Sequence, residues 1–242
     1  MKIEGSVALV TGANRGIGKA LAEELLARGA AKVYAAVRNP ESVTDERLVP
    51  VQLDVTDAAR VAAVARELGD VEIVVNNAGI GRPGTALSAS LDDARDQLEA
   101  NYLSLISTTQ AFAPVLAANG GGAFVNVLSI VSWVGFPTLA TYSASKSAAW
   151  GYTNAARVEL KRQGTQVVGV HVGFVDTDLT AGLETEKIAP QIVAASALDA
   201  LENGESEAVV DDASRGVKAG LHDDHNLIYP GLEAEFNART AA

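Results

Sequence analysis

Tyr142 and Lys146 stand four residues apart in Tyr142-Ser143-Ala144-Ser145-Lys146. On a helix, that spacing stacks two side chains on one face. A phenol beside an ammonium can do acid–base chemistry. Alone, a tyrosine with a pKa of about 10 is a poor proton partner near neutrality. Lowering it by about three units takes ~4 kcal/mol of extra phenolate stabilisation. One cation about 4 Å away, at an effective dielectric of ~20, supplies roughly that amount. Such a pair suits protonation of a carbonyl as it accepts a hydride, or the reverse step on an alcohol. Tyr and Lys four apart are also common on solvated helices, so their location must decide.

A second chemical feature lies near the start of the chain, in Thr11-Gly12-Ala13-Asn14-Arg15-Gly16-Ile17-Gly18. Glycines allow a tight turn and close backbone approach to a pyrophosphate, and a helix starting at Gly16 aims its free N–H groups at that charge. A glycine triplet gains weight only between a strand and a helix, which is its context here. Nineteen residues past Gly18, where an acid would take the ribose 2′-OH of NAD, stands Val37, followed by Arg38. Arg15 adds a second guanidinium inside the glycine turn. Two arginines and no carboxylate suit a 2′-phosphate, so NADP(H) is expected, although both could be solvated surface arginines.

Elements that could position these groups follow from the pattern of apolar runs. Strands are expected at Ser6–Val10, Lys32–Val37, Leu48–Leu53, Val71–Val75, Ala123–Leu128, Val167–Val172 and, short, Glu207–Val210. Helices are expected after Gly16, from Thr56, over roughly Leu91–Ala118, from near Tyr142 to before Gly164, and over about Ile188–Glu202. Near-continuous apolar strands alternating with helices indicate a parallel sheet covered on both faces. The expected fold is therefore α/β, a doubly wound, Rossmann-like parallel sheet of about seven strands in a single domain over residues 1–242. Ligands would bind at the carboxyl ends of the strands, and Tyr142 follows the fifth strand towards that edge.

Composition narrows the function classes. The 242 residues carry a formal net charge of −11 with no Lys/Arg-rich run, which argues against nucleic acid or an anionic membrane as main partner. The chain has no cysteine, which removes thiolate chemistry and thiolate metal sites. Of three histidines, His171 lies in an apolar run, while His222 and His225 form a pair three apart with no third ligand at metal-site spacing. No metal site is expected. Met1 runs into the first strand without a signal-peptide pattern, and Ala123–Pro137 is too short and too polar to span a bilayer, so a cytoplasmic location is the default.

Taken together, Thr11-Gly12-x-x-x-Gly16-x-Gly18, Asp54-Val55, Asn76-Asn77-Ala78-Gly79, Asn101, Ser129 and Tyr142-x-x-x-Lys146 resemble the short-chain dehydrogenase/reductase family. The likeness runs from about Val7 to Thr180. It implies that Tyr142 is the general acid in reduction and base in oxidation, and that Lys146 lowers its pKa and bonds the nicotinamide ribose. It also implies that Ser129 polarises the substrate carbonyl and that Asn101 holds a proton-relay water. Gly12, Asn14, Arg15, Gly16, Ile17, Gly18 and Arg38 would bind the cofactor's phosphates, and Asp54 and Val55 would flank its adenine. Asn77, Ala78 and Gly79 would line its path, with Asn76 bracing the sheet. Read from the residues alone, Ser129 could end a strand and Asn101 could be a buried polar residue.

After the sixth strand the family pattern has Pro-Gly, whereas this chain has Val172-Gly173-Phe174-Val175-Asp176-Thr177. Gly173, Val175 and Thr177 fit as nicotinamide contacts, but Val172 lacks proline's fixed φ, so a looser start to this loop is expected. Residues 174–190 form the expected substrate loop, with Leu179–Pro190 as its lid. Phe174, Trp133 and Phe136 are candidates for the pocket wall, and Trp150 is expected in the core. The tail after Glu207 departs from the family pattern, leaving a homo-oligomer open. The expected partner is a small ketone, aldehyde or alcohol. A cofactor-sensing regulatory protein without turnover, or an epimerase or lyase of the same fold, are the rival readings.

Overall fold

A computed structural model describes residues 1–223 and 229–240. Seven parallel strands make one sheet in the order β3-β2-β1-β4-β5-β6-β7. They are β1 (Val7–Thr11), β2 (Lys32–Val37), β3 (Val49–Gln52), β4 (Ile73–Asn76), β5 (Gly122–Val127), β6 (Thr165–His171) and β7 (Glu207–Val209). The expected doubly wound parallel sheet is therefore present, with boundaries shifted by one or two residues. Pro50 lies within β3, where its missing N–H is tolerated because β3 is an edge strand.

Alternate residues of each strand feed opposite faces. Ala8, Val10, Val33 and Ala35 pack beneath α1 (Gly16–Ala27) and α6 (Pro190–Glu202). Leu9, Tyr34 and Ala36 face the other way. That side is covered by α2 (Ala58–Glu67), α4 (Ser104–Ala118) and α5 (Ala140–Leu160), with Phe112, Leu116 and Leu160 in its core. Both faces are dry, which is why the strands read as unbroken apolar runs rather than alternating ones.

The single long helix expected over Leu91–Ala118 is instead two helices, α3 (Leu91–Leu98) and α4, joined by one π-helical turn at Glu99–Leu103. A π-turn adds a residue to the helix, and such turns gather at functional sites. Here it carries Asn101. Beyond β7, α7 (Asp212–Ala219) starts on Asp211, whose carboxylate accepts the Ser214 N–H. The last described helix is α8 (Pro230–Thr240). Among the described residues, no helix is long and apolar enough to cross a membrane.

Strand order reverses between β1 and β4, so a crevice opens where their carboxyl ends diverge. Both the glycine turn after β1 and the Asn76–Gly79 segment after β4 end at this crevice.

Candidate active site

Glycine is required in the turn after β1 on steric grounds. Gly12 and Gly16 have φ of +67° and +54°, in the left-handed region that suits glycine. A Cβ on Gly18 would stand 2.2 Å from the Gly12 carbonyl oxygen and 2.4 Å from Asn77 Nδ2. Arg15 supplies no side-chain cap to α1, which leaves first-turn N–H groups for an anion at the crevice. Thr11 holds this geometry together: its hydroxyl accepts the N–H groups of Asn77 and Ala78 at 2.9 and 3.0 Å. Asn77 in turn donates to the Thr11 carbonyl at 2.8 Å, so its amide braces the turn. Thr11 opens the glycine motif in the sequence, where it carries no role of its own; the structure gives it this bracing one.

Asn14 is half-buried in the turn, whereas Arg15 is exposed and paired with Asp178 at 2.7 Å. Arg38 is exposed just past the end of β2. The Asp54 carboxyl accepts both the N–H and the hydroxyl of Thr56, which together with the field of Arg38 lower its pKa. Val55 beside it packs partly into the core. Both arginines are exposed, and Arg38 lies close enough to Asp54 for its charge to reach that carboxyl. A glycine cradle, uncapped helix N–H groups and adjacent guanidiniums are a donor set that fits a phosphorylated dinucleotide.

Tyr142 projects from the first turn of α5 with its phenol near the hydroxyl of Ser129, which follows β5 and draws the phenol's pKa down. Lys146, one turn on, is buried and donates to the Val127 carbonyl at 2.9 Å. Its ammonium lies 5.9 Å from the centre of the Tyr142 ring. The electrostatic picture expected from the sequence needs correction here. Burial pushes the Tyr142 phenol up to about 12, opposed by the nearby Ser129 hydroxyl. Burial also brings Lys146 down to about 8. The ammonium is directed to the Val127 carbonyl, and desolvation dominates the phenol. Tyr142 is therefore a proton-bearing phenol at neutral pH.

Asn101 sits behind this pair. Its Oδ1 accepts the Ile80 N–H at 2.9 Å, and its Nδ2 donates to the Ile80 carbonyl at 2.8 Å and to Ser145 Oγ at 3.0 Å. Ser145 Oγ donates a hydrogen bond to the Tyr142 carbonyl at 2.7 Å, which ties Asn101 to the catalytic helix. Gly79 has no room for a side chain, because a Cβ would come within 2.7 Å of Asn101 Oδ1. A polar cavity of about 20 Å³, bounded by Thr11, Asn76, Asn101, Ser104, Asn126 and Lys146, lies beneath the site. That is room for one water. Asn76 donates to Asn126 Oδ1 at 2.9 Å and braces the sheet, as expected.

Two loops complete the site. The segment after β6 is anchored where Gly173 N–H donates to Asp211 Oδ2 at 2.7 Å, so Asp211 fixes a position next to the valine that replaces proline. Val175 is buried, and the ends of the substrate loop are joined through Asp176 N–H to the Ile188 carbonyl at 2.9 Å. Thr177 rests over Gly16, where its methyl would be 3.1 Å from an added Cβ. Leu179 and Tyr142 both approach Gly81. Phe136 and Phe174 are half-buried in the loops after β5 and β6. Trp133 stacks on His171 rather than facing Tyr142, and Trp150 packs with Leu105 and Leu128. His222 is exposed beside Asp223 at 3.7 Å, and His225 lies outside the described residues.

The short chain dehydrogenase family matches residues 6–188 of this chain. Among curated relatives, the 3-oxoacyl-(acyl-carrier-protein) reductase FabG of Vibrio cholerae is 35% identical over 196 residues, covering 77% of this chain and 80% of that one. FabG of Escherichia coli K12 is 33% identical over the same shares. Among solved structures, a short chain dehydrogenase from Burkholderia cenocepacia in complex with NADP is 40% identical with a TM-score of 0.92, covering 96% of this chain and 99% of that one. The chain thus belongs to the short-chain dehydrogenase/reductase family of oxidoreductases.

Proposed function

We propose that this protein is an NADP(H)-dependent reductase of ketones or aldehydes, also able to oxidise the corresponding alcohols. The observation that carries the reading is the Tyr142 phenol beside Ser129 and one helical turn from a buried Lys146, with a glycine turn flanked by Arg15 and Arg38 at the same crevice. When bound, the nicotinamide would supply or accept the hydride. Asn14, Gly16, Ile17 and Gly18 would hold its phosphates through backbone N–H groups, with Gly12, whose own N–H is bonded to the Ala36 carbonyl, giving the room for them, and Arg15 and Arg38 would hold its 2′-phosphate. Asp54 and Val55 would flank the adenine. Ala78, Gly79, Gly173, Val175 and Thr177 would line the path to the nicotinamide.

Ser129 would hydrogen-bond the substrate carbonyl oxygen and polarise it. Tyr142 would give that oxygen its phenolic proton, and because burial holds the phenol at about 12, this step needs the phenolate stabilised as it forms. Lys146 would support the phenolate as it forms and bond the nicotinamide ribose. A water in the small cavity beneath the site would return a proton through Lys146, along a path fixed by Asn101. The similar Burkholderia structure contains NADP, and the FabG relatives are named as reductases of a 3-oxoacyl thioester. Both accord with a carbonyl substrate, and a cytoplasmic location goes with the same reading.

The test is NADPH and NADH consumption by purified protein across ketones, aldehydes and a 3-oxoacyl thioester. We expect NADPH-dependent turnover of at least one class. Tight NADPH binding with no turnover on any of them would favour a cofactor sensor instead, and preference for NADH would remove the roles of Arg15 and Arg38.

A further inference from the structure

We propose that His171 is a positioning residue for Ser129, held as a doubly protonated ring between the Ser129 carbonyl and the Glu207 carboxylate. His171 closes β6 and is fully buried. Its Nδ1 lies 3.2 Å from the Ser129 carbonyl oxygen, and its Nε2 lies 3.5 Å from Glu207 Oε1. Both neighbours are acceptors. A neutral imidazole has one N–H, so either tautomer would leave a buried lone pair against an acceptor oxygen. Protonation at both nitrogens satisfies the Ser129 carbonyl with a hydrogen bond and Glu207 with an ion-pair contact.

The sheet register makes room for this arrangement. Glu207 pairs with Gly169 across β6 and β7, and His171 with Val209. Gly169 and His171 lie two residues apart on one strand and so share a face. A Cβ on Gly169 would press on Leu128 at 3.1 Å and touch His171 Nε2 at 3.4 Å, so glycine there keeps this end of the strand uncrowded. Glu207 is itself held by Lys218 of α7 and by Trp150 Nε1 of α5 at 3.5 Å. Its carboxyl lies at about 2, lowered first by His171 and then by Lys218. Arg157 of α5 also faces it electrostatically. Trp133 stacks on the His171 ring at 3.8 Å and 16°, with the Lys218 ammonium 5.8 Å from the centre of the Trp133 ring. This stack holds the plane of the imidazole.

Ser129 is thereby gripped at its backbone. Its carbonyl accepts the Ser132 N–H at 3.0 Å as well as the His171 ring, and its N–H donates to Ser132 Oγ at 3.2 Å. A tilt of this peptide would swing Oγ away from Tyr142, and small displacements of this kind cost turnover more than binding.

Two measurements test the inference. In the nitrogen-15 spectrum of the wild-type protein, we expect both His171 ring nitrogens to carry protons. A neutral ring, protonated at either nitrogen alone, would overturn the proposal whatever the variants do. Among variants, His171→Asn can place a donor near the Nδ1 position, whereas His171→Phe keeps only the stack. We expect His171→Asn to retain kcat within about threefold and His171→Phe to lose about tenfold or more, with KM for NADPH unchanged. Wild-type kcat in His171→Phe would overturn it. The inference rests on the reductase role of Ser129 given above. A wild-type protein without turnover would defeat that role, while the ring spectrum would still decide the His171 bond.

Discussion

The Arg15 guanidinium and the Asp178 carboxylate meet at 2.7 Å, joining the glycine turn to the 3-10 turn of the substrate loop. Thr177 reaches over Gly16 beside them. The loop that would cover the substrate and the turn that would hold the cofactor are therefore one contact surface. An arginine meant for a 2′-phosphate has a carboxylate competing for it.

Cofactor preference should follow from this competition. Arg15→Ala with Arg38→Ala should weaken NADPH binding by about 100-fold or more, from two charge-assisted contacts of about 1.5–3 kcal/mol each. NADH binding should change less than about threefold. Asp178→Asn should leave NADPH affinity equal or higher. Fluorescence titration of both cofactors reads all three outcomes, and equal losses for NADH and NADPH in the double variant would contradict a 2′-phosphate site.

Lys146 should cost the fold stability while serving the site. Burial lowers it to about 8 from 10.5, so the folded state binds the proton less well than the unfolded state. The penalty, of order 3 kcal/mol, is fully present below pH 8 and is relieved as pH rises from about 8 to 10.5. Lys146→Met should therefore unfold at higher denaturant concentration than wild type at pH 7 and show no turnover. Wild type should gain on the variant as pH approaches 10. A less stable Lys146→Met at pH 7 would show that the Val127 hydrogen bond outweighs desolvation.

The pH profile of reduction follows from the same two groups. Tyr142 keeps its proton across the accessible range, so the phenol should not limit the rate on the alkaline side. Loss of the Lys146 charge should do so, with kcat falling above about pH 8. A flat profile to pH 10 would remove Lys146 from the proton-transfer step.

What could be read from the sequence was whatever depends on local pattern. Unbroken apolar runs gave the parallel sheet, because both faces of β1, β4 and β5 are dry. The glycine turn was legible because Gly18 admits no Cβ at all. Less legible was anything set by tertiary burial. The four-residue spacing of Tyr142 and Lys146 carried no information on where the ammonium points, and it points to Val127. The π-turn at Glu99–Leu103 left no apolar-period mark, since inserting one residue shifts the pattern no more than ordinary variation does. The His171–Glu207 contact links β6 to β7 across 36 positions, beyond any local motif.

Gly18→Ala should separate the turn from the chemistry. Its methyl would need about an ångström of movement in the Gly12 carbonyl or the Asn77 amide. We expect a lower Tm and loss of NADPH binding by about tenfold or more, measured by calorimetry. Unchanged NADPH affinity would mean that the cradle is not where the phosphates sit.

The most direct measurement is NADPH-dependent reduction by Tyr142→Phe, with NADPH affinity measured on the same sample. We expect kcat/KM to fall about 10³-fold, within the range of general acid catalysis, while NADPH binding stays within about threefold. Turnover within about tenfold of wild type, with the cofactor bound, would contradict Tyr142 as the proton donor.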